Sequence, residues 1–196
     1  ICRISIRFFS PPEKPSFTGR FSISKSIFSS PAFSRTSLRN CGAVISTSQG
    51  TVSGNTVYVG GLFEVGVNGL HSMVVAIDAT TGFASAWDPG PDGGVYTVSV
   101  SGSNVYLGGT LTLAGGTVRY GLAALDATTG ALLPWNPSTT ANIVWSMTSS
   151  ASTLYVGGQF ATMAGQARNC LAAFDVTSGA LTAFNPGYVD GSVQAL

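Results

Sequence analysis

The sequence predicts an all-β chain built from tandem antiparallel sheets, and three observations carry that prediction. First, Tyr58-Val59-Gly60-Gly61 returns as Tyr106-Leu107-Gly108-Gly109 and as Tyr155-Val156-Gly157-Gly158, at intervals of 48 (106 − 58) and 49 (155 − 106) residues. Second, apolar residues within each segment alternate with a period of two. Third, turn-forming residues separate these short runs. A fixed period of roughly 20 to 50 residues indicates a solenoid, a propeller or an array.

The second repeat shows the expected elements in order. Its apolar runs predict strands over 95–100, 104–112, 121–126 and 131–135. Pro134 falls inside the fourth run, where the other copies carry Ala86 and Ala183. Because proline cannot donate to a sheet ladder, this fourth strand is predicted to form the outer edge of its sheet.

A repeated turn joins the third strand to the fourth. In Asp126-Ala127-Thr128-Thr129-Gly130 the carboxylate is placed to accept backbone N–H groups, and the glycine is free to take a positive φ. A catalytic carboxylate would look similar in isolation, but three equivalent copies favour a structural role. The predicted turn residues are Asp78, Gly82, Asp126, Gly130, Asp175 and Gly179.

Four-stranded antiparallel sheets with exposed outer edges, repeated in tandem, predict the blades of a β-propeller. The units span about 41–89, 90–137 and 138–186, and residues 187–196 match the start of a fourth. Propellers close with about four to eight blades. We therefore expect part of a longer propeller, whose open edges need neighbouring blades or self-association to cover them.

Charge divides the chain into two regions. Residues 1–40 hold seven basic residues and one acid, a net charge of +6, whereas 41–196 hold two arginines and seven acids, a net charge of −5. The leader is predicted to be disordered or a targeting segment: it lacks the apolar core of a secretory signal, but its Arg- and Ser-rich balance leaves an organelle transit peptide open. An acidic folded region argues against nucleic-acid binding.

The composition of the repeats suggests an extracellular setting. Residues 41–196 contain no lysine, and charged residues make up 9% of the chain, against roughly 25% in ordinary globular domains. A surface of this kind favours a secreted or cell-surface protein. No apolar run approaches the roughly 18 residues that a membrane-spanning helix needs.

One position in each repeat carries a hydrogen-bond donor seven residues before the turn aspartate. The bland interpretation is a structural partner for a turn carboxylate or for carbonyl groups of a neighbouring blade, and the sharper one is a ring of donors that face an acidic or sugar-like ligand at one end of the propeller. The three candidates are His71, Arg119 and Arg168.

Trp145 is a fourth candidate for binding. It matches Tyr96 and Gln194 in the neighbouring copies. Such a side chain can stack on a sugar, although in a propeller it more often packs between blades.

Metal and catalytic chemistry have little material in this sequence. Residues 88–94 bring two carboxylates close together, as a calcium site would, but the other copies do not repeat both acids, so an inter-blade turn is favoured. Cys2, Cys41 and Cys170 have no metal-type spacing, and Cys170 is predicted to be a small buried strand residue. With one histidine in the chain, we predict no catalytic residue, no metal and no cofactor.

The combined motifs resemble the delta-60 repeat β-propellers, found mostly in bacterial secreted or surface proteins. Closest to that pattern are Gly157-Gly158-Gln159-Phe160, Arg168-Asn169 and Phe184-Asn185-Pro186-Gly187, and the resemblance covers about residues 50–196. It implies a propeller scaffold without shared catalytic residues. The paired glycines with a later tryptophan also look like kelch repeats.

A weaker resemblance links 124–135 to the tryptophan-docking motif of quinoprotein propellers. Here, however, Trp135 follows Gly130 by five residues where that motif has four. The sequence therefore predicts a non-catalytic scaffold of a secreted or cell-surface protein that binds a protein or a glycan. The alternative is a piece of a propeller enzyme, either quinoprotein-like or carbohydrate-active, with its catalytic residues outside this chain.

Overall fold

The computed structural model describes residues 46–66, 70–137, 143–187 and 191–196, and every regular element in these ranges is a β-strand. The predicted all-β class is confirmed. The basic leader, Cys2 and Cys41 lie outside the described residues, as does Asp190.

Three antiparallel sheets of three strands follow one another along the chain, in the manner of propeller blades. The first sheet contains β1 (Ser46–Ser53), β2 (Thr56–Gly66) and β3 (Leu70–Asp78). The second contains β4 (Val95–Ser101), β5 (Asn104–Gly109) and β8 (Leu122–Asp126). The third contains β9 (Ile143–Ser149), β10 (Thr153–Gln159) and β13 (Leu171–Asp175). In each sheet the second strand lies in the middle.

Short hairpins interrupt the second and third units. They consist of β6 (Leu113–Ala114) with β7 (Thr117–Val118), and of β11 (Thr162–Met163) with β12 (Gln166–Ala167). Along the chain, each hairpin comes after the middle strand of its sheet and before the third strand. The predicted strand over 104–112 is therefore too long, because the chain leaves the ladder at Gly109 and turns into the hairpin.

The predicted fourth strand is the main correction to the sequence-based elements. In the second unit the segment 131–135 forms an isolated bridge, Leu125↔Leu132, in place of a regular strand. Beside this bridge the Asp126 N–H donates to the Ala131 carbonyl at 2.9 Å, and the Leu133 N–H donates to the Ala124 carbonyl at 2.8 Å. The other units repeat this arrangement with the bridges Ile77↔Ala84 and Phe174↔Leu181. Pro134 cannot extend the ladder, and the segment then leaves its sheet so that Trp135 reaches the next one. The segment does lie outside the third strand, as expected.

Cys170 is a second correction, since it precedes β13 instead of lying in it. Its φ is +61°, and the matching residues Met73 and Gly121 have φ of +67° and +73°. The repeat therefore needs a left-handed residue at this position, which glycine supplies without strain. The side chain of Cys170 is nonetheless buried, as predicted.

Apolar side chains fill the spaces between successive sheets. One cluster joins the first sheet and Trp87 to the second sheet, and another joins the second sheet to the third. The first glycine of each Gly-Gly pair keeps these sheets close. A Cβ at Gly108 would lie 2.7 Å from Val144 Cγ1, and a Cβ at Gly60 would lie 2.7 Å from Val95 Cγ1.

Candidate functional site

The first strands of the three sheets lie beside one another and form the inner edge of the blade succession. The N–H of Met147 in β9 donates to Thr97 Oγ1 in β4 at 3.1 Å, and the N–H of Leu196 donates to Ser146 Oγ at 3.0 Å. We call β1, β4, β9 and residues 191–196 the inner row. Buried hydroxyl groups thus connect β4 to β9 and β9 to residues 191–196.

Each described strand of the inner row contains a β-bulge at the same repeat position. In β4 the ladder passes from Val95 to Thr97 and skips Tyr96, and in β9 it skips Trp145 in the same way. The bulge in β1 skips Ser48. A bulge leaves its extra residue out of the ladder and redirects its side chain. The repeat therefore turns one residue per unit away from the regular pattern of the sheet.

The second glycine of the Gly-Gly pair permits this bulge in the second and third units. A Cβ at Gly109 would overlap the carbonyl oxygen of Gly94, and a Cβ at Gly158 would overlap that of Ile143. Both carbonyls belong to the residue just before the first strand or at its beginning. Only glycine lets the middle strand approach the first strand so closely.

The two bulge residues of the second and third units form a stacked aromatic pair. The ring centroids of Tyr96 and Trp145 lie 4.9 Å apart, and their planes differ by 11°. Both side chains are half-buried. We call these two residues the aromatic pair. It places Trp145 between blades, which was the second of the two roles considered for this residue. It also adds Tyr96, which the candidate binding set did not include.

The polar atoms of the aromatic pair remain available. Among the described residues, neither the Tyr96 hydroxyl nor Trp145 Nε1 has a hydrogen-bond partner. The buried side-chain polar atoms without partners in that part of the chain are the Nε atoms of Arg119 and Arg168. Neither the hydroxyl nor the indole N–H of the pair is among these buried atoms. Such groups on an apolar surface orient ligands.

The other two tryptophans use their N–H groups inside the fold. Trp87 Nε1 donates to the Asp126 carbonyl at 3.0 Å, and Trp135 Nε1 donates to the Gly179 carbonyl at 2.9 Å. Each tryptophan therefore docks on the aspartate turn of the next unit. Tyr58 adds a bond from its hydroxyl to the Ala127 carbonyl at 2.9 Å, and burial, followed by the charge of Asp126, raises its pKa.

The repeated aspartates form turns of one geometry. Asp126 Oδ1 accepts the N–H of Thr129 at 2.7 Å and the N–H of Thr128 at 3.0 Å, and Gly130 has a φ of +75°. Hydrogen bonds from the backbone and the hydroxyl of Thr129 lower the pKa of Asp126. The same bonds occur at Asp78 and Asp175 and lower their pKa values too, while Gly82 and Gly179 have φ of +74° and +72°.

The two arginines of the candidate binding set are turned inward. Arg119 donates to the Val118 and Leu133 carbonyls at 2.8 and 3.1 Å, and Arg168 donates to the Ala167 and Thr182 carbonyls at 2.8 and 2.9 Å. Each guanidinium is buried and connects its hairpin to the outer segment of its own unit. The partners are carbonyl groups, as in the bland interpretation, but these carbonyls belong to the same unit and not to a neighbouring blade. His71 pairs through its backbone with Val65 in β2, and its side chain lies outside the described part.

The loop that suggested calcium is held by internal hydrogen bonds. Asp92 Oδ1 accepts the N–H groups of Thr112 and Leu113, both at 2.7 Å. Burial raises the pKa of Asp92, but these bonds and the Thr112 hydroxyl outweigh it, so that the pKa is lowered overall. Within 46–66, 70–137, 143–187 and 191–196, no three His, Cys, Asp or Glu residues group as metal ligands would. The same ranges hold no helix suited to crossing a bilayer.

Comparison with protein-family models finds no family that matches the chain, and a search of curated proteins finds no significant match. The function of the site therefore rests on its geometry. Tyr96 and Trp145 stack on each other, whereas Arg119 and Arg168 bind carbonyl groups inside their own units. The sequence signal for Tyr96 was its position, because it lies one repeat before Trp145.

Proposed function

We propose that the chain is a non-catalytic, propeller-type binding module of a secreted or cell-surface protein. Its ligand is a protein or a glycan, and the aromatic pair is the binding surface. Membership of the delta-60 repeat family is part of this proposal, since the Gly-Gly pairs, the aspartate turns and the arginines of that pattern each have a structural use here.

The observation that carries the proposal is the contrast among the three tryptophans. Trp87 and Trp135 donate their N–H groups to turns of the next unit, whereas Trp145 donates to no described residue and stacks on Tyr96. The hydrogen bonds of Trp87 and Trp135 hold successive units together, as a scaffold requires. Trp145 instead combines an amphipathic ring with an N–H donor that has no described partner, and such side chains are enriched at binding surfaces.

The three turn aspartates are not suited to act as general acids. The turn aspartates accept hydrogen bonds from their own turns, and their pKa values are lowered. A general acid at neutral pH needs a raised pKa instead. The rival proposal is a piece of a propeller enzyme whose catalytic residues lie outside this chain.

A binding screen tests the proposal. The full chain is applied to immobilised glycans and to immobilised extracellular proteins, together with Trp145→Ala and with Tyr120→Ala as the matched control. Tyr120 is 40% exposed and lies two residues after the hairpin of the second unit. We expect a ligand that the wild type and Tyr120→Ala retain and that Trp145→Ala loses. Equal retention of every ligand by all three proteins would contradict the proposal.

A further inference from the structure

We propose that the ligand of the aromatic pair is a neutral carbohydrate chain. This inference rests on the proposed function and narrows it to one ligand class. Three features of the molecule support it. They are the absence of charged residues from the inner row, the geometry of the two rings, and the Tyr96 hydroxyl and Trp145 Nε1, which have no described hydrogen-bond partner.

The inner row carries no charge along its whole length. The strands Ser46–Ser53, Val95–Ser101 and Ile143–Ser149 contain no Asp, Glu, Lys, Arg or His, and neither do residues 191–196. Their polar residues are serine, threonine and glutamine. A charged ligand would lose its hydration at such a surface without gaining an opposite charge. A neutral ligand that carries hydroxyl groups meets no such cost.

The geometry of the pair favours a ligand ring that has an apolar face. Because the planes of Tyr96 and Trp145 differ by 11° and their centroids lie 4.9 Å apart, nothing fits between the two rings. A ligand ring can therefore stack only on the face that each aromatic ring turns away from the other. In the repeat, Ser48 is the residue equivalent to Tyr96 in the preceding unit, and Gln194, which is exposed, is the residue equivalent to Trp145 in the following one. A pyranose with equatorial hydroxyl groups has apolar C–H faces that match such a ring.

The polar atoms of the aromatic pair match the hydroxyl groups of a sugar. Trp145 Nε1 is a donor, and the Tyr96 hydroxyl is both a donor and an acceptor. Sugar hydroxyl groups also donate and accept, so that they satisfy both atoms while a sugar ring covers an aromatic face. The amide of Gln194 offers a further donor and acceptor at the next repeat position.

A proline-rich peptide is the strongest competing ligand, since such peptides also bind tryptophan and tyrosine. They dock in grooves between aromatic side chains. The parallel contact between Tyr96 and Trp145 leaves no groove of that kind. The observations therefore favour the carbohydrate.

Isothermal titration of the full chain tests the inference with four probes. Cellohexaose and mannohexaose are the neutral carbohydrates, hexagalacturonic acid is the charged one, and a decaproline peptide represents the competing class. We expect binding of at least one neutral probe. Trp145→Ala and Tyr96→Ala should each weaken it by about tenfold or more, as for aromatic residues at the centre of an interface, whereas Tyr120→Ala should change it less than about twofold.

Trp145→Phe separates the role of the ring from that of the N–H group. It keeps a stacked ring and removes the donor, so we expect affinity between those of the wild type and Trp145→Ala. If an alanine variant fails to fold, acrylamide quenching of the wild-type tryptophan fluorescence gives the same information. A bound neutral probe should then reduce the quenching of the Trp145 indole.

The outcomes separate this inference from the proposed function. Binding of the acid or of the peptide through Trp145, without binding of either neutral probe, would overturn the carbohydrate assignment and leave the binding module in place. Neutral binding that the Trp145 and Tyr96 variants leave unchanged would also overturn it. If Trp145→Ala loses none of the probes and none of the screened glycans and proteins, the binding module fails as well.

Discussion

Glycine residues decide how closely the strands of this protein approach each other. Gly108 leaves room for Val144 of the next sheet, and Gly109 leaves room for the Gly94 carbonyl within its own sheet. A single side chain at either position would push a strand away. The Gly-Gly pair therefore has two different uses, one between units and one at the bulge that carries Tyr96.

The glycine of the aspartate turn provides a prediction at the residue scale. Gly130 has a φ of +75°, and a Cβ there would lie 3.2 Å from Trp87 Cδ1. Gly130→Val should lower the free energy of unfolding by about 1–2 kcal/mol or more, because a β-branched residue is strained in the left-handed region. Urea unfolding measures this change. Ala131→Val, at an exposed neighbouring position, is the control, and equal stability of both variants would contradict the turn.

Tryptophan docking is a feature of the element scale. The N–H of Trp87 binds the carbonyl of Asp126 in the following unit, while the N–H of Trp145 binds no described residue. Trp87→Phe should therefore cost about 0.5–1.5 kcal/mol of stability. Trp145→Phe should stay within about 0.5 kcal/mol of the wild type. Thermal unfolding compares the two, and a larger loss for Trp145→Phe would contradict the assignment of their roles.

The aspartate turns predict that the stability of the folded chain depends on pH. Hydrogen bonds lower the pKa values of Asp78, Asp126 and Asp175 in the folded chain. A lowered folded pKa stabilises the protein above the unfolded value of about 3.9, and this contribution is lost as the pH falls through the folded pKa. The melting temperature should thus decrease below about pH 4.

The variant Asp126→Asn is the matched test of that dependence. It should melt at a lower temperature than the wild type at neutral pH, and the difference between the two should shrink in acid. Circular dichroism at a series of pH values gives both curves. A melting temperature that rises as the pH falls from about 5 to about 3 would show that the carboxylates do not act in this way.

Much of each unit was predictable from periodicity, but its outer part was not. Alternation and turn residues predicted the first and third strands of the second unit within a residue or so. The segment 131–135 has the same alternation, yet it forms one bridge, because Trp135 leaves to contact the next unit. Alternation reports which side chains face a core; it does not report whether the backbone stays in a ladder.

The candidate site was only half predictable for a related reason. Trp145 stood out by its residue type, but its partner Tyr96 lies 49 residues earlier, and the bulges that bring them together depend on glycines of the adjacent strand. Conversely, the spacing of Arg119 and Arg168 suggested a row of donors, and the carbonyls that they bind are set by tertiary structure. The sequence pattern shows that a position is special without showing which partner it meets.

At the scale of the whole molecule, the outer face of the third unit predicts association. Phe184 corresponds to Trp87 and Trp135 in the repeat, but it is 40% exposed, and Leu196 is 48% exposed. Exposed apolar groups at the edge of a sheet favour self-association. Light scattering of the full chain should show a mass that rises with concentration, and Phe184→Ser should reduce that rise. Val118→Ser, which changes a 47% exposed residue on a hairpin, is the control; a concentration-independent monomer would contradict the prediction.

The most direct test of the account is a nuclear magnetic resonance titration that observes the three indole N–H groups of the chain. The spectrum of Trp145→Phe identifies the Trp145 signal by its loss. Addition of a neutral oligosaccharide such as cellohexaose or mannohexaose should shift that signal and leave those of Trp87 and Trp135 in place, because their N–H groups are bound inside the fold. Saturable shifts at Trp87 or Trp135 without a shift at Trp145, or no shift with any ligand that the chain binds, would contradict the assignment of the aromatic pair as the binding surface.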